Sequence, residues 1–225
     1  MVESTPTKQR VWDLPLRLFH WSLVLLVTLS LYTGINGGFK EMDYHMMSGY
    51  GILTLVIFRV IWGFVGSTHS RFRSFIKLSG LIPYTRQILS RDQSDITGHN
   101  PLGALSVVAM LLVLGTQATT GLFANDDIFL EGPLVHLVED ATSDRLTTIH
   151  HFCAKALYVL IGLHLAAIAF HELYQKDRLV LPMISGYKKG LPTSADKPSS
   201  IRESVTASIL LAACAGFVYW LINYV

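Results

Sequence analysis

The sequence IHHFCAKALYVLIGLH, residues 149–164, indicates the fold class of this chain. Apart from three histidines and one lysine it is apolar, and it lies within a longer apolar block at 147–171. His150 and His164 are fourteen residues apart. On an α-helix this spacing corresponds to about 21 Å along the axis and a return to within about 40° of the same face. A bilayer core is about 30 Å thick, so one stripe of a membrane helix would carry an imidazole near each surface.

The same apolar character recurs along the whole chain. Of its 225 residues 51% are hydrophobic and only 15% are charged, whereas about a quarter of the residues in soluble domains are charged. The mean hydropathy is +0.42. Five apolar blocks are long enough to cross a bilayer as helices, and they lie at 16–35, 45–66, 101–124, 147–171 and 204–225. The sequence therefore predicts an all-α integral membrane protein, with no nucleic-acid partner.

The charges of the loops predict how the helices are oriented. Basic residues dominate the N-terminal segment and the loops after the second and fourth blocks, whereas the loop between the third and fourth blocks is acidic. The positive-inside rule then places the N-terminus and both basic loops in the cytoplasm, and the acidic loop and the C-terminus on the other side. The acidic loop is either a solvated surface or a surface whose electrostatic field steers a basic partner. Its acidic residues are Asp126, Asp127, Glu131, Glu139, Asp140 and Asp144.

Depth in the membrane predicts which histidines lie opposite His150 and His164. The first block starts in the cytoplasm, so His20 lies near the cytoplasmic surface, whereas the second block starts outside, so His45 lies near the outer surface. Matching depths give two couples, His45 with His150 and His20 with His164. Each couple can hold one metal cofactor between two helices. Bis-histidine couples at two depths indicate two haems, and iron without an open position favours electron transfer.

Other interpretations of these histidines compete with this one. A single histidine in a membrane helix can be a hydrogen-bonding packing residue, and a transporter or scaffold could use histidines for protons. One zinc site would need all its ligands around a single metal, which a separation of about 21 Å along one helix excludes. His151 is thirteen residues from His164. That spacing turns about 220°, so we expect His151 to face away from the stripe as a polar residue near the interface.

Two arginines are candidates for binding the edge of the cofactor. Arg59 follows His45 by fourteen residues, so it lies on the same helix face near the cytoplasmic haem. Its guanidinium could pair with haem propionates or with a quinone head group; snorkelling at a helix end is the alternative. Arg17 precedes His20 by about one turn and is a second propionate candidate, although a positively charged flank explains it equally well.

The remaining polar residues of the apolar blocks have less specific interpretations. Cys153 and Cys214 form no CxxCH motif and no CxxC pair, so any haem would be non-covalent and b-type. Gln117 and three neighbouring threonines make the end of the third block polar. They act either as packing residues or as the lining of a haem or quinone pocket. Lys155 lies off the histidine face and receives no role.

Five segments together resemble the bacterial cytochrome b561 family and the related cytochrome b subunit of nickel–iron hydrogenases. They cover roughly residues 11–186 and are specific as a set. The segments are VWDLPLRLFHW at 11–21, HMMSGYGILTLVIFRVIWGFVG at 45–66, GHNPLGALSVVAMLLVLGTQATTGL at 98–122, DDIFLEGPL at 126–134 and IHHFCAKALYVLIGLHLAAIAFHEL at 149–173.

The resemblance implies a four-helix core in the bacterial inner membrane that holds two b-type haems. Such a core moves electrons between the quinone pool and a partner protein. The haem ligands of the family fall on His20, His45, His150 and His164 of this chain, and its arginine near the end of the second helix falls on Arg59.

One feature departs from the smallest members of the family, which end after four helices. The segment SVTASILLAACAGFVYWLINYV at 204–225 adds a fifth helix without a histidine. The predicted organisation is a di-haem domain at 1–186, a cytoplasmic linker at 187–203, and this additional membrane helix, used for packing or for docking a partner.

Two functions remain open at this point. The first is an electron-transfer component of a respiratory oxidoreductase, which links quinone to a periplasmic redox protein such as a cytochrome c or a hydrogenase. The second is a self-sufficient oxidoreductase that oxidises a small reductant such as superoxide and reduces quinone. Turnover by the purified protein alone would favour the second.

Overall fold

A computed structural model describes residues 8–67, 70–76, 101–128, 130–189 and 201–225 of the chain. The predicted basic loop after the second helix falls largely on residues outside these ranges, as does most of the predicted linker. Two short strands pair antiparallel, β1 (Lys8–Arg10) with β2 (Tyr187–Lys189). The helices are α1 (Leu14–Asn36), α2 (Phe39–Val65), α3 (Phe72–Phe75), α4 (Pro101–Gly121), α5 (Asp140–Ala169), α6 (Val180–Ser185) and α7 (Ile201–Tyr224).

Five of these helices are long and apolar enough to cross a membrane. They are α1, α2, α4, α5 with the π-helical turn Phe170–Gln175 that continues it, and α7. This confirms the all-α membrane fold. The helices extend beyond the apolar blocks, since α5 begins seven residues before the predicted start at 147 and α2 six residues before 45. Apolarity marks the part of a helix inside the bilayer, whereas the helix itself continues until its backbone is capped.

The chain divides into two compact units. The first unit contains residues Met1–Leu18, Ile61–Val108 and Gly162–Ala207, and the second contains Phe19–Val60, Ala109–Ile161 and Ser208–Val225. In the second unit, buried side chains of α2, α4 and α5 form one apolar cluster, namely Ile52, Val56, Leu114 and Leu157. A second cluster there joins α2 and the end of α4 to α7, and consists of Leu53, Leu122, Leu134 and Val218. The fifth membrane helix is thus part of the packing of this unit.

In the first unit, Asp13 ties the start of α1 to the end of α2. Its side chain is 2% exposed, and Oδ1 accepts a hydrogen bond of 2.7 Å from the backbone N–H of Leu16, as an N-cap residue does. Oδ2 accepts hydrogen bonds from the indole N–H of Trp62, at 3.3 Å, and from the hydroxyls of Ser67 and Ser70. One carboxylate therefore satisfies four donors.

Gly186 ends α6 and forms hydrogen bonds with the N-terminal segment of the same unit. It adopts the left-handed conformation with φ of 88°, and its N–H donates to the carbonyl of Pro182 at 2.7 Å. Its own carbonyl accepts hydrogen bonds from the N–H groups of Val11, at 2.9 Å, and Trp12, at 3.3 Å. This turn therefore places β1 beside β2.

We expect Gly186→Ala to destabilise the protein more than Gly37→Ala. Both glycines have positive φ, 88° and 60°, which costs an L-residue about 1 kcal/mol. A Cβ at Gly186 would also lie 2.8 Å from Nη1 of Arg17 and 3.1 Å from the carbonyl oxygen of Trp12, whereas a Cβ at Gly37 meets nothing within 4 Å. Thermal unfolding in detergent should show a midpoint about 4 °C lower for Gly186→Ala than for Gly37→Ala. Equal midpoints would contradict this prediction.

Candidate cofactor site

His45 of α2 and His150 of α5 lie next to each other in the second unit. Their ring centroids are 6.1 Å apart and their planes are inclined by 80°. A metal–imidazole bond is about 2 Å long and the ring centroid lies about 1 Å behind its nitrogen, so two imidazoles on opposite sides of one metal have centroids about 6 Å apart. The separation of the two rings therefore fits two imidazoles that would share one metal.

Hydrogen bonds to neighbouring helices orient both rings. His45 Nδ1 lies 2.8 Å from the carbonyl oxygen of Ser30, and His150 Nδ1 lies 2.9 Å from the carbonyl oxygen of Gln117. A carbonyl can only accept, so in each ring the proton is on Nδ1 and the lone pair is on Nε2. Metal-binding histidines typically have this arrangement, in which the donated hydrogen bond fixes the tautomer and the ring orientation.

Gln117 contacts His150 a second time through its side chain. Its Nε2 lies 2.9 Å from Nε2 of His150, so the amide donates to the nitrogen that carries the lone pair. Thr120 adds a hydroxyl 3.4 Å from Nδ1 of the same ring. Among the residues that the structure describes, the buried Oε1 of Gln117 has no hydrogen-bond partner. A metal on Nε2 would replace the amide of Gln117.

Both histidines line a cavity of about 650 Å³ within the second unit. This volume is in the range of roughly 300–1,000 Å³ that is typical of small-molecule and cofactor sites. Apolar side chains of α1, α2, α4 and α5 form its walls. A Cβ at Gly49, which also lines the cavity, would meet nothing within 4 Å. The polar residues of the lining include Asn125, Asp126, Glu131, His151 and Lys155.

His151 differs from the sequence-based expectation. Its ring lies 6.2 Å from that of His150, and it lines the cavity although it is exposed. Lys155 also lines the cavity and is exposed. The cavity is broad enough to reach residues on either side of the stripe that His150 and His164 define.

His20 and His164 belong to different units. His20 is on α1 in the second unit, where its ring meets the edge of Trp21 with centroids 5.2 Å apart. His164 is on α5 in the first unit. Both side chains are partly buried. Their pairing stays a prediction.

The two arginines have different environments. Arg59 is 2% exposed although α2 is a membrane helix, so its side chain does not extend to solvent as a snorkelling residue would. Arg17, in the first unit, donates from Nη2 to the carbonyl of Ile184. Its Nε is buried and has no hydrogen-bond partner among the described residues.

Within the described part of the chain, no three His, Cys, Asp or Glu side chains lie close enough together to hold a metal ion. The His45–His150 site offers two imidazoles, one from α2 and one from α5. Two such ligands suit a planar macrocycle that supplies the other four donors itself.

The family model of prokaryotic cytochrome b561 matches residues 11–186. Curated relatives named probable Ni/Fe-hydrogenase B-type cytochrome subunit include a protein of Azotobacter vinelandii, 25% identical over 79% of this chain and 87% of that protein. The protein of Rhodobacter capsulatus is 23% identical over 81% and 82%, respectively. An Escherichia coli relative, named probable Ni/Fe-hydrogenase 1 B-type cytochrome subunit, is 22% identical over 79% and 89%.

No solved structure matches the chain. The family match covers more than half of the sequence and includes His20, His45, His150 and His164. Five apolar helices place the chain in a membrane. The chain thus belongs to the prokaryotic cytochrome b561 family, and it is a multi-pass membrane cytochrome that binds haem b and transfers electrons.

Proposed function

We propose that this cytochrome holds two b-type haems and transfers electrons between membrane quinone and a periplasmic redox protein. His45 and His150 would ligate one haem near the periplasmic surface, and His20 and His164 the other near the cytoplasmic surface. The observation that carries the proposal is the His45–His150 pair, whose rings are 6.1 Å apart and whose Nδ1 atoms both donate to backbone carbonyls.

Each side chain has a defined role in this proposal. The haem supplies one-electron redox chemistry when it is bound. The two imidazoles would hold the haem iron through Nε2, and ligation by two histidines favours electron transfer. The carbonyls of Ser30 and Gln117 hold the Nδ1 protons and so fix which nitrogen faces the cavity. The apolar cavity wall excludes water around the cofactor.

Arg59 and Arg17 would bind the acidic edge of the cytoplasmic haem. A guanidinium that is 2% exposed in a membrane helix is costly unless anionic or hydrogen-bonding groups compensate its charge. A haem propionate supplies such a charge, and a quinone head group supplies acceptors for the same donors. Arg17 has a buried Nε in addition to the Nη2 that contacts Ile184, and this nitrogen could donate to a propionate.

The proposed location is the bacterial inner membrane. The basic N-terminal segment would face the cytoplasm, and the acidic loop and the C-terminus would face the periplasm. The relatives are named cytochrome subunits of Ni/Fe-hydrogenases, which supports a partner that exchanges electrons with the outer haem. A hydrogenase-like protein and a cytochrome c are the two partners proposed.

The haem content and quinone reactivity of the purified protein test this proposal. We expect two haem b per chain by pyridine haemochrome assay, low-spin EPR signals, and two midpoint potentials in a redox titration. Addition of a short-chain quinol or quinone should reduce or oxidise both haems. One haem per chain, or a high-spin spectrum from a five-coordinate iron, would contradict the proposal. Rapid reduction by superoxide without any partner would instead favour a self-sufficient oxidoreductase.

The acidic loop gives a prediction about the partner. Glu139, Asp140 and Asp144 are exposed, so their field should attract a basic protein such as a basic cytochrome c. The bimolecular rate constant of electron transfer is expected to fall about tenfold between roughly 10 and 200 mM salt. Replacing Glu139 and Asp140 by Gln and Asn should weaken this salt dependence, whereas Glu203→Gln, in the first turn of α7, should not. Stopped-flow measurements that show no salt dependence would exclude steering by this loop.

A further inference from the structure

Each imidazole of the His45–His150 pair is hydrogen-bonded to a backbone carbonyl of a neighbouring helix and packs against a glycine of the same helix. On α1, the carbonyl oxygen of Ser30 is 2.8 Å from Nδ1 of His45. Gly34 follows Ser30 by four residues, and a Cβ built there would lie 3.0 Å from both Cε1 and Nδ1 of the same ring. The ring therefore occupies the space that a side chain at position 34 would need.

The same arrangement occurs on α4. The carbonyl oxygen of Gln117 is 2.9 Å from Nδ1 of His150, and Gly121 follows Gln117 by four residues. A Cβ at Gly121 would lie 2.9 Å from Cε1 and 3.2 Å from Nδ1 of His150. His45 and His150 thus each lie beside a backbone carbonyl of a neighbouring helix and beside the glycine that follows it by four residues.

Helix geometry explains why a glycine at this spacing matters. In an α-helix the carbonyl of residue i bonds to the N–H of residue i+4. The side chain of a helical residue points toward the N-terminus and covers the preceding turn, so residue i+4 shields the carbonyl of residue i from the side. A glycine at i+4 removes this cover. A donor from a neighbouring helix can then reach the second lone pair of the carbonyl.

We infer that Gly34 and Gly121 are positioning residues for His45 and His150: each exposes the carbonyl that fixes the tautomer and the orientation of its imidazole. This inference rests on the proposed function, in which the two histidines ligate the outer haem. The hydrogen bond from Nδ1 makes Nε2 a stronger ligand. A stronger ligand stabilises ferric iron, so both glycines keep the midpoint potential of the outer haem low.

The alanine variants of both glycines test this inference. In Gly121→Ala the ring of His150 must move by a few tenths of an ångström, which lengthens its hydrogen bond to the carbonyl of Gln117. We expect a higher midpoint potential for the outer haem and a shifted low-spin EPR signal, or loss of that haem alone. Gly34→Ala should affect the same haem through His45. The cytoplasmic haem, which is proposed at His20 and His164, is the internal reference in the same sample.

Gly216→Ala is the matched control, since Gly216 is also a helical glycine but a Cβ there meets nothing within 4 Å. Potentials and EPR spectra of Gly34→Ala and Gly121→Ala identical to those of Gly216→Ala would overturn the inference. Loss of both haems would also contradict it, because a local displacement predicts an effect at one site only. A His45→Ala variant measured in parallel distinguishes failure of this inference from failure of the proposed function. If it keeps both haems, the proposed function itself fails; if it loses one, the proposed function stands whatever the glycine variants show.

Discussion

His150→Ala is expected to halve the haem b content of the purified protein, from two haems per chain to one. His45 alone would leave the outer haem with one of its two proposed ligands, and a b-type haem has no covalent bond to the chain that would keep it in place. The 650 Å³ cavity around it would still supply apolar contacts, but the axial bonds provide the specific attachment. The pyridine haemochrome assay, normalised to protein by amino-acid analysis, measures the content.

Comparison of several variants makes the result specific to the proposed pairs. His45→Ala, and the double variant His45→Ala/His150→Ala, should lose the same haem as His150→Ala, as judged by the midpoint potential that remains. His20→Ala and His164→Ala should each lose the other haem. His151→Ala is the matched control, because its ring is adjacent to that of His150, and it should keep both haems. Loss of one and the same haem from His20→Ala and His45→Ala would refute the pairing.

Asp13→Ala is expected to lower the free energy of unfolding by about 3 kcal/mol. The carboxylate caps α1 through Leu16 and accepts hydrogen bonds from Trp62, Ser67 and Ser70. Trp62 and Ser70 are 1% and 0% exposed, so their donors would lose their acceptor in a place that solvent does not reach. Leaving a buried donor without an acceptor costs more free energy than the hydrogen bond itself contributes to stability.

Thermal unfolding of the detergent-solubilised protein, followed by circular dichroism, measures this loss. We expect the midpoint of Asp13→Ala to fall by about 6–10 °C. Asp13→Asn, which keeps one oxygen for the N–H of Leu16, should lose less. Asp144→Ala replaces an exposed aspartate near the start of α5 and should change the free energy of unfolding by less than about 0.5 kcal/mol. Equal midpoints for Asp13→Ala and Asp144→Ala would show that the Asp13 hydrogen bonds contribute nothing.

The sequence predicts the membrane helices well because each must fill the bilayer with apolar side chains. It predicts their ends less well. The segment before residue 147 is polar, yet α5 begins at Asp140. A helix can continue outside the bilayer, and an acidic residue in its first turn interacts favourably with the helix dipole. Depth alone predicts that His45 and His150 lie close together, and their rings are 6.1 Å apart. Their role as ligands stays a prediction.

The partners of the histidines could not be predicted in the same way. Ser30 and Gln117 contribute backbone carbonyls, which every residue possesses, so the residue type carries no signal. Gly49 and Gly162, the glycines nearest in sequence to His45 and His164, have no atom within 4 Å of an added Cβ. At Gly34 and Gly121, by contrast, an added Cβ would meet an imidazole. Contacts between helices depend on how the helices pack, which the sequence of one helix does not specify.

The hydrogen bonds of Asp13 could also be predicted only in part. An aspartate before an apolar helix is a recognisable N-cap, and Asp13 caps α1. Its other donors lie 49 to 57 residues away along the chain, in and after α2. An indole N–H or a serine hydroxyl can donate to many different acceptors, so the sequence does not indicate that these three side chains meet one carboxylate.

The hydrogen bond from the Gln117 amide to Nε2 of His150 joins α4 to α5 within the second unit. The bilayer core offers no water, so a polar side chain on a membrane helix needs a partner inside the protein. Gln117 gives the imidazole such a partner from within the chain, and a polar pair of this kind contributes to the association of the two helices.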